Sequence, residues 1–425
     1  MKEGSDNHRK TLFLVNIRTF FISSGATTAS AFIGVYGVIL GASPVEMGLL
    51  LALGNSISNA MQIFFGKLSD NSGVRKPWLI LSSIILAILW LSLSFVSGPV
   101  GLIAVYALIS LASAVVTVNW FALLTDITSK GNRGAFMAGI SNISSIGNMI
   151  TLIAMTFLLK GDEKSYLIIP FSIASIGYII SAISVSLIKE SKKKPEFKQK
   201  LNIKSIRDQK GFYKYLKAMM VQGFFWSMAW PIFPITVILV RNFTLPMVAI
   251  LTAVNIFSTI IMQFYSGKIA DNKNRVPYIF LNRLLLGGIP LMYALFSNFE
   301  EFIIMQAYAG ILTGIQNVTM NSYLKDLLPD GRRAQYLSIM NGLNGVIYFF
   351  GSLTGGFLLE YLMSFLPLYK AVSFTLIIIA IGRIITSFSF LNLVDPGRKI
   401  KNPLLNILFR LNNAGLPSGS LQKQR

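Results

Sequence analysis

The chain has 425 residues, 53% of them hydrophobic and only 13% charged, with a formal charge of +21. Soluble domains carry about a quarter charged residues, so most of this chain is composed to sit in lipid. There is no cysteine and one histidine, His8 in a polar stretch, which excludes disulfides, thiolate nucleophiles, histidine-built metal sites and His-based triads.

Twelve runs are apolar and long enough, at about 20 residues each, to cross a bilayer. The first follows M-K-E-G-S-D-N-H-R-K and spans 12–40, too long for a signal-peptide core, so it is expected to be a retained helix. Helices 2 to 6 are predicted near 45–66, 77–97, 99–127, 133–159 and 165–188. A Ser97-Gly98-Pro99 breaker parts helices 3 and 4. Residues 190–212 form a strongly basic linker, read as a solvated connection or as a contact with anionic lipid. Helices 7 to 12 follow near 213–240, 246–267, 277–297, 301–327, 333–364 and 367–393. The tail, 396–425, opens with the short amphipathic run N-P-L-L-N-I-L-F-R-L-N-N, which would lie on the membrane face.

Charge placement orients these runs. With the N-terminus inside, the outward loops hold Lys160, Lys164, Arg241 and Lys370 out of 38 basic residues, so both termini are expected in the cytoplasm. The excess positive charge thus reads as topology rather than nucleic-acid binding, for which no aromatic-studded basic face exists.

The chain also repeats itself. G-K-L-S-D-N-S-G-V-R-K from Gly66 is answered by G-K-I-A-D-N-K-N-R-V-P from Gly267. Gly66/Gly267 and Asp70/Asp271 match 201 positions apart, and Arg75/Arg275, Asp126/Asp326 and Arg133/Arg333 match 200 apart. Charged loops recurring at fixed places in an apolar chain are the sequence form of a transporter with two related halves. Gly73 suits a tight turn with positive φ, and Asp70 and Asp271 are acids at cytoplasmic helix ends.

The first loop resembles the signature of the major facilitator superfamily, roughly G-x-L-x-D-r-x-G-r-[RK], at Gly66, Leu68, Asp70, Gly73, Arg75 and Lys76. The resemblance, with the degenerate second copy, covers residues 10–395. It implies an all-α membrane fold of two pseudo-symmetric six-helix halves, 1–189 and 213–395. It further implies that Asp70 faces the start of helix 11 near Arg333, that Asp271 faces the start of helix 5 near Arg133, and that Arg75 and Arg275 pair with Asp126 and Asp326 in a cytoplasmic latch. The competing reading of these charges is plain topology control. Two marks of proton-coupled drug antiporters are missing: helix 4 has no Arg, and helix 5 has no Gly-Pro pair.

No carboxylate is predicted near the bilayer centre; Glu46 and Glu360 sit at the outer edge. Arg18, Arg283 and Arg383 are the deep cations. Arg18 lies about 9 Å from the inner end of helix 1 at 1.5 Å rise per residue. Snorkelling to the surface is its expected role, with an anionic substrate as the alternative; Arg383 is expected to be structural. The resemblance puts helices 1, 4, 7 and 10 around the cavity. The polar and aromatic residues there are Asn119 and Trp120 (helix 4), Gln222, Trp226 and Trp230 (helix 7), and Gln316, Asn317 and Asn321 (helix 10), with Asn142, Asn341 and Asn344 as further contributors. Trp226 and Trp230 are four apart and expected on one face, and Pro231 and Pro234 are expected to kink that helix. For each Asn or Gln the alternative is interhelical hydrogen bonding.

The expected protein is a cell-membrane secondary transporter, not an enzyme. It exports a neutral or amphipathic compound, with uptake of a sugar or organic anion as the alternative and a non-transporting sensor or scaffold as a third reading. Its expected partners are the bilayer and a small-molecule substrate, with a coupling ion left open and no nucleic acid. No cofactor or metal is expected, the chain has no P-loop, and it is expected to act as a monomer.

Overall fold

The computed structural model describes residues 2–128, 133–160, 164–188, 190, 207–272, 275–329 and 333–394. The tail, the middle of the linker, and the side chains of Asp70, Asp271, Arg133 and Arg333 lie outside what is described, as do the surroundings of Gly267. Among the described residues every element is helical. Eleven helices are long and apolar enough to cross a membrane. The twelfth, Phe299–Leu327, is as long as its neighbours but more polar, because Gln306, Gln316, Asn317 and Asn321 all fall on it.

In the first half, α1 comprises Lys2–Ile22 and Thr28–Ile39, joined by a π-helical turn at Ser23–Thr27. It is followed by α2 (Pro44–Ser72), α3 (Lys76–Ser92), α4 (Pro99–Ile127), α5 (Arg133–Leu158) and α6 (Ile168–Leu187). In the second half, α7 is broken into Lys210–Met228 and Ile232–Ile235. Then come α8 (Leu245–Asn272) and α9, broken into Arg275–Leu285 and Gly288–Leu295. The half ends with α10 (Phe299–Leu327), α11 (Arg333–Met363) and α12 (Leu368–Ser387).

Two predicted boundaries needed correction. The stretch from Gly66 is not a loop to its end: α2 runs on through Ser72 and stops at Gly73, whose φ of 66° makes it a left-handed C-cap. Helix 9, expected to be continuous, breaks at Leu286-Gly287, where the close approach of Ile384 leaves no room for a Cβ on Gly287. The proline kink of helix 7 is present as a full interruption at 229–231.

Apolar residues occupy the outer faces of the helices as well as the core, where Leu79 and Leu86 of α3 are fully buried. Leu81, Ile84, Ile85 and Ile88 of α3 are exposed, whereas Ser83 beside them is fully buried and bonded to Ser181 of α6 at 3.1 Å. Lipid is as apolar as leucine, so helices associate through small residues and polar links rather than by hiding apolar surface. A groove lined by Ile84, Ile88, Leu91, Ser175, Ile179 and Ile183 is part of this apolar face.

The halves meet through α2 and α11 at the end of the bundle away from the repeated loops. Ser352 Oγ donates to the Gly48 carbonyl at 2.9 Å, Gly356 lies against the Pro44 carbonyl, and the Val45 N–H donates to Glu360 at 3.1 Å. Glu360 of one half thus caps the N-terminus of a helix in the other, where a carboxylate is favoured. Closer to the middle, Gly345 packs against Ser56 and Asn59, and Gly34 of α1 touches Pro234 of α7.

Candidate functional site

Backbone breaks at membrane depth need partners for the carbonyls they free. Arg383 of α12 supplies them: its guanidinium donates to the carbonyls of Trp226 at 2.8 Å, Phe225 at 3.3 Å and Leu286 at 3.4 Å, while its Cζ lies 4.6 Å from the Trp226 ring centre. One side chain therefore closes the C-terminal ends of the first segments of both α7 and α9. Tyr308 adds a 2.7 Å bond to the Leu285 carbonyl.

Arg383 holds these broken ends beside a cavity of about 70 Å³ between α7, α9, α10 and α11. Trp226 and Tyr348 wall it with aromatic rings, and Gln222, Gln316 and Arg283 supply its polar lining. The Tyr348 ring can lie against α7 because Gly223 faces it; a Cβ there would come within 2.8 Å of the ring. Three buried polar atoms around the cavity have no protein partner: Gln222 Oε1, Gln316 Oε1 and Arg283 Nε. Gln222 is oriented by a 3.3 Å bond from its Nε2 to the Arg283 carbonyl. The cluster can accept one hydrogen bond at each amide and donate at the guanidinium.

Of the residues predicted to line a site, the cavity gathers Gln222, Trp226 and Gln316. Trp230 stands outside it, edge-on to Tyr348 with ring centres 5.2 Å apart. It does not share a helical face with Trp226, because the helix ends at Met228 between them. Asn119 is fully buried between α2 and α4, where it accepts from Ser69 Oγ and donates to the Val115 carbonyl at 2.8 Å, so it is an interhelical link and not a lining residue. Asn317 is half-buried, Asn321 is exposed, and neither borders the cavity.

Arg18 does not snorkel. It is 2% exposed, its Nε donates to Ser181 at 3.0 Å, and its Cζ sits 3.5 Å over the Trp120 ring, leaving Nη2 without a partner. Trp120 is thereby committed to covering Arg18. The repeat gives this a counterpart, since Trp120 matches Met320 and Ser83 matches Arg283, each 200 positions on. Arg283 Nη2 meets the Met320 sulfur, so each half holds a guanidinium against the same position of its fourth helix, delivered by different helices. Only Arg283 borders the cavity.

Sequence reasoning missed Tyr348, and it noted Arg283 as a deep cation without placing it in the site. The signal for Arg283 was available, because an intramembrane charge is a functional candidate by default. Nothing in the sequence distinguished Tyr348 from the other aromatics of α11.

At the end of the bundle that carries the repeated loops, Arg75 Nε lies 3.3 Å from Asp126 Oδ2, and Arg275 pairs with Asp326 at the equivalent place in the second half while bonding the Ser322 carbonyl at 2.9 Å. Both pairs join helices of one half. Glu190, not singled out in the sequence, accepts from the backbone N–H groups of Arg75 at 2.7 Å and Lys76 at 3.0 Å, capping α3. Lys76 Nζ donates to the Ile188 carbonyl at 3.0 Å, which fixes the end of α6 against the start of α3. The acids and arginines expected to link the halves, Asp70 with Arg333 and Asp271 with Arg133, fall among the side chains outside the described set.

Two related six-helix halves with broken helices beside a polar intramembrane cavity form the architecture of a membrane transporter. A family model for the Major Facilitator Superfamily matches residues 16–219 and again 215–413, and the chain belongs to that superfamily. Among solved structures, a mutant of the nucleoside transporter NupG superposes with a TM-score of 0.71 at 11% identity, over 90% of this chain and 99% of that one. A D-xylose-proton symporter gives 0.71 at 11% identity, over 92% and 99%. A bacterial homologue of the lysosomal transporter Spinster, inward-facing and occupied, gives 0.67 at 14% identity, over 91% and 96%. In sequence, multidrug resistance protein MdtL of Klebsiella pneumoniae subsp. pneumoniae is 31% identical over 85 residues, which is 20% of this chain and 22% of MdtL.

Proposed function

We propose that this chain is a secondary transporter of the cell membrane, with cytoplasmic termini, that exports a small amphipathic compound by alternating access as residues 1–189 rock against 213–395. The observation that carries the reading is the α7–α11 cavity, where aromatic walls adjoin buried polar atoms that the protein leaves unpartnered. Such a site takes a solute with an apolar body and a few polar groups. The short likeness to a multidrug resistance protein supports the outward direction. Uptake of a sugar or organic anion is the second reading, favoured by Arg283 at the cavity wall.

Counterflow in proteoliposomes tests transport itself: purified protein should exchange labelled for unlabelled solute, and a sensor or scaffold should not. Trp226→Ala should weaken apparent affinity about tenfold, near 1.4 kcal/mol, while folded protein stays in the membrane. Unchanged affinity for every accepted solute removes Trp226 from the site.

The cytoplasmic loops are proposed to gate. Asp70 would meet the start of α11 in the outward-open state only, and only a contact made differently in two states can shift their balance. Loss of its charge in Asp70→Asn should favour inward-open molecules by about 1–2 kcal/mol. Spin labels on the cytoplasmic ends of α2 and α11 should move apart, and unchanged distances together with unchanged transport would reduce Asp70 to a topology marker.

A further inference from the structure

We infer that the cavity beside Trp226 is a subsite for a carboxylate that carries a hydrogen-bond donor on the neighbouring atom, as in a 2-hydroxy acid or an N-acylated amino acid. This rests on the transport reading and names the polar end of the solute. Arg283 is 4% exposed, and among the described residues it forms no ion pair. Its Nη2 faces the Met320 sulfur and its Cζ lies 5.5 Å from the Phe390 ring centre, neither of which is an anion, and Nε has no acceptor. A buried charge is ordinarily paired, and here the missing partner would be an anion arriving in the cavity.

The amides restrict that anion further. Gln222 is 2% exposed, and its Oε1 is an acceptor without a donor, as is Oε1 of Gln316. Flipping the Gln222 amide would sacrifice its bond to the Arg283 carbonyl, so the acceptor orientation is fixed by the protein. A bare halide would satisfy Arg283 and leave two amide oxygens unmet. A carboxylate flanked by an O–H or N–H pairs with Arg283 and donates to one of these amide oxygens. The volume of about 70 Å³ holds such a head group, at about 30 Å³ for one water in the liquid, and not a whole solute. The apolar remainder would lie against Trp226 and Tyr348.

Mandelate supplies each element: an aromatic ring, a carboxylate and an adjacent hydroxyl. Phenylacetate lacks the hydroxyl, and methyl mandelate lacks the charge. Binding to the purified full-length protein, read by thermal stabilisation and tryptophan quenching, should be strongest for mandelate. It should be weaker by at least about tenfold for each analogue, because a site built to pair with a polar group rejects the compound lacking it. Arg283→Gln should abolish the preference for mandelate over its ester. Gln316→Met, which leaves Arg283 in place should the first variant fail to fold, should reduce the preference for mandelate over phenylacetate and retain that over the ester. Equal binding of all three compounds, or none by mandelate, overturns the inference. So does competition by chloride or inorganic phosphate at the same concentration, which would make the site one for a free inorganic ion. Counterflow separates this from the transport reading. Exchange of mandelate that is indifferent to Arg283→Gln sinks the subsite alone. Absence of exchange for any solute sinks the transport reading, and the binding series still decides the subsite.

Discussion

Arg383→Met is expected to destabilise the protein by about 3–5 kcal/mol, the largest loss from any single side chain of α12. The first segments of α7 and α9 end inside the membrane with C-termini that each carry about half a negative charge. Among the described residues, Arg383 is the cation bonded to the terminal carbonyls of both. Methionine fills a similar volume and recovers the desolvation of the charge, which offsets part of the loss. It leaves three buried carbonyls with one partner fewer, at about 1–3 kcal/mol each. Arg383→Lys should fall between, because a single ammonium cannot span carbonyls on two helices as the planar guanidinium does. Thermal unfolding in detergent measures this. An Arg383→Met protein as stable as wild type would mean that the breaks are held by packing alone. Trp226 should shift with its stacking partner, so tryptophan emission of any folded Arg383→Met protein should also change.

Gly356→Leu is expected to trap the protein open to the outside. At the end away from the repeated loops, which is the outer face in the proposed orientation, α11 touches α2 backbone to backbone at Gly356 and Pro44, with Gly48 against Ser352 on the same seam. A side chain at Gly356 would overlap the Pro44 carbonyl, and overpacking of this kind costs about 1–3 kcal/mol. That cost falls on the outward-closed arrangement only, so the balance between states should move by about fivefold or more. Spin labels at Ala42 and Ser364 should separate by several ångström, to about one helix diameter at most, and counterflow should fall in proportion. Glu360→Gln should shift the balance the same way by less, since it weakens a single cap on α2. Gly139 provides the opposite control: nothing lies within 4 Å of a Cβ placed there. Gly139→Ala in a helix interior should therefore stabilise by about 0.5–1 kcal/mol and leave the label distances alone. Label distances unchanged by Gly356→Leu would show that the α2–α11 seam is not part of the outer gate.

The sequence by itself determined the number of spans, their approximate ends and the relation between the halves. These depend on local chemistry: about 20 apolar residues cross a bilayer whatever surrounds them, and Gly98-Pro99 starts α4 where it was expected. The spacing of Arg75 and Asp126 recurs at Arg275 and Asp326, and both pairs form. The major facilitator signature was legible for the same reason.

Only the tertiary structure decided which polar groups look inward together. In water a helix shows its buried side by its apolar stripe. In lipid both sides are apolar, so the sequence of α4 gives no sign that Asn119 faces α2 or that Trp120 covers Arg18. Spacing predicted a shared face for Trp226 and Trp230, but it assumed a continuous helix, and the break at 229–231 turned them apart. The same holds for Arg283 and Tyr348. They are 65 residues apart on α9 and α11 and become neighbours of Gln222 only because Gly223 lets a ring against α7 and Arg383 holds two severed helix ends in place. Rotation of each helix about its axis is set by these contacts, and a one-dimensional pattern uniformly apolar around the axis contains no record of it.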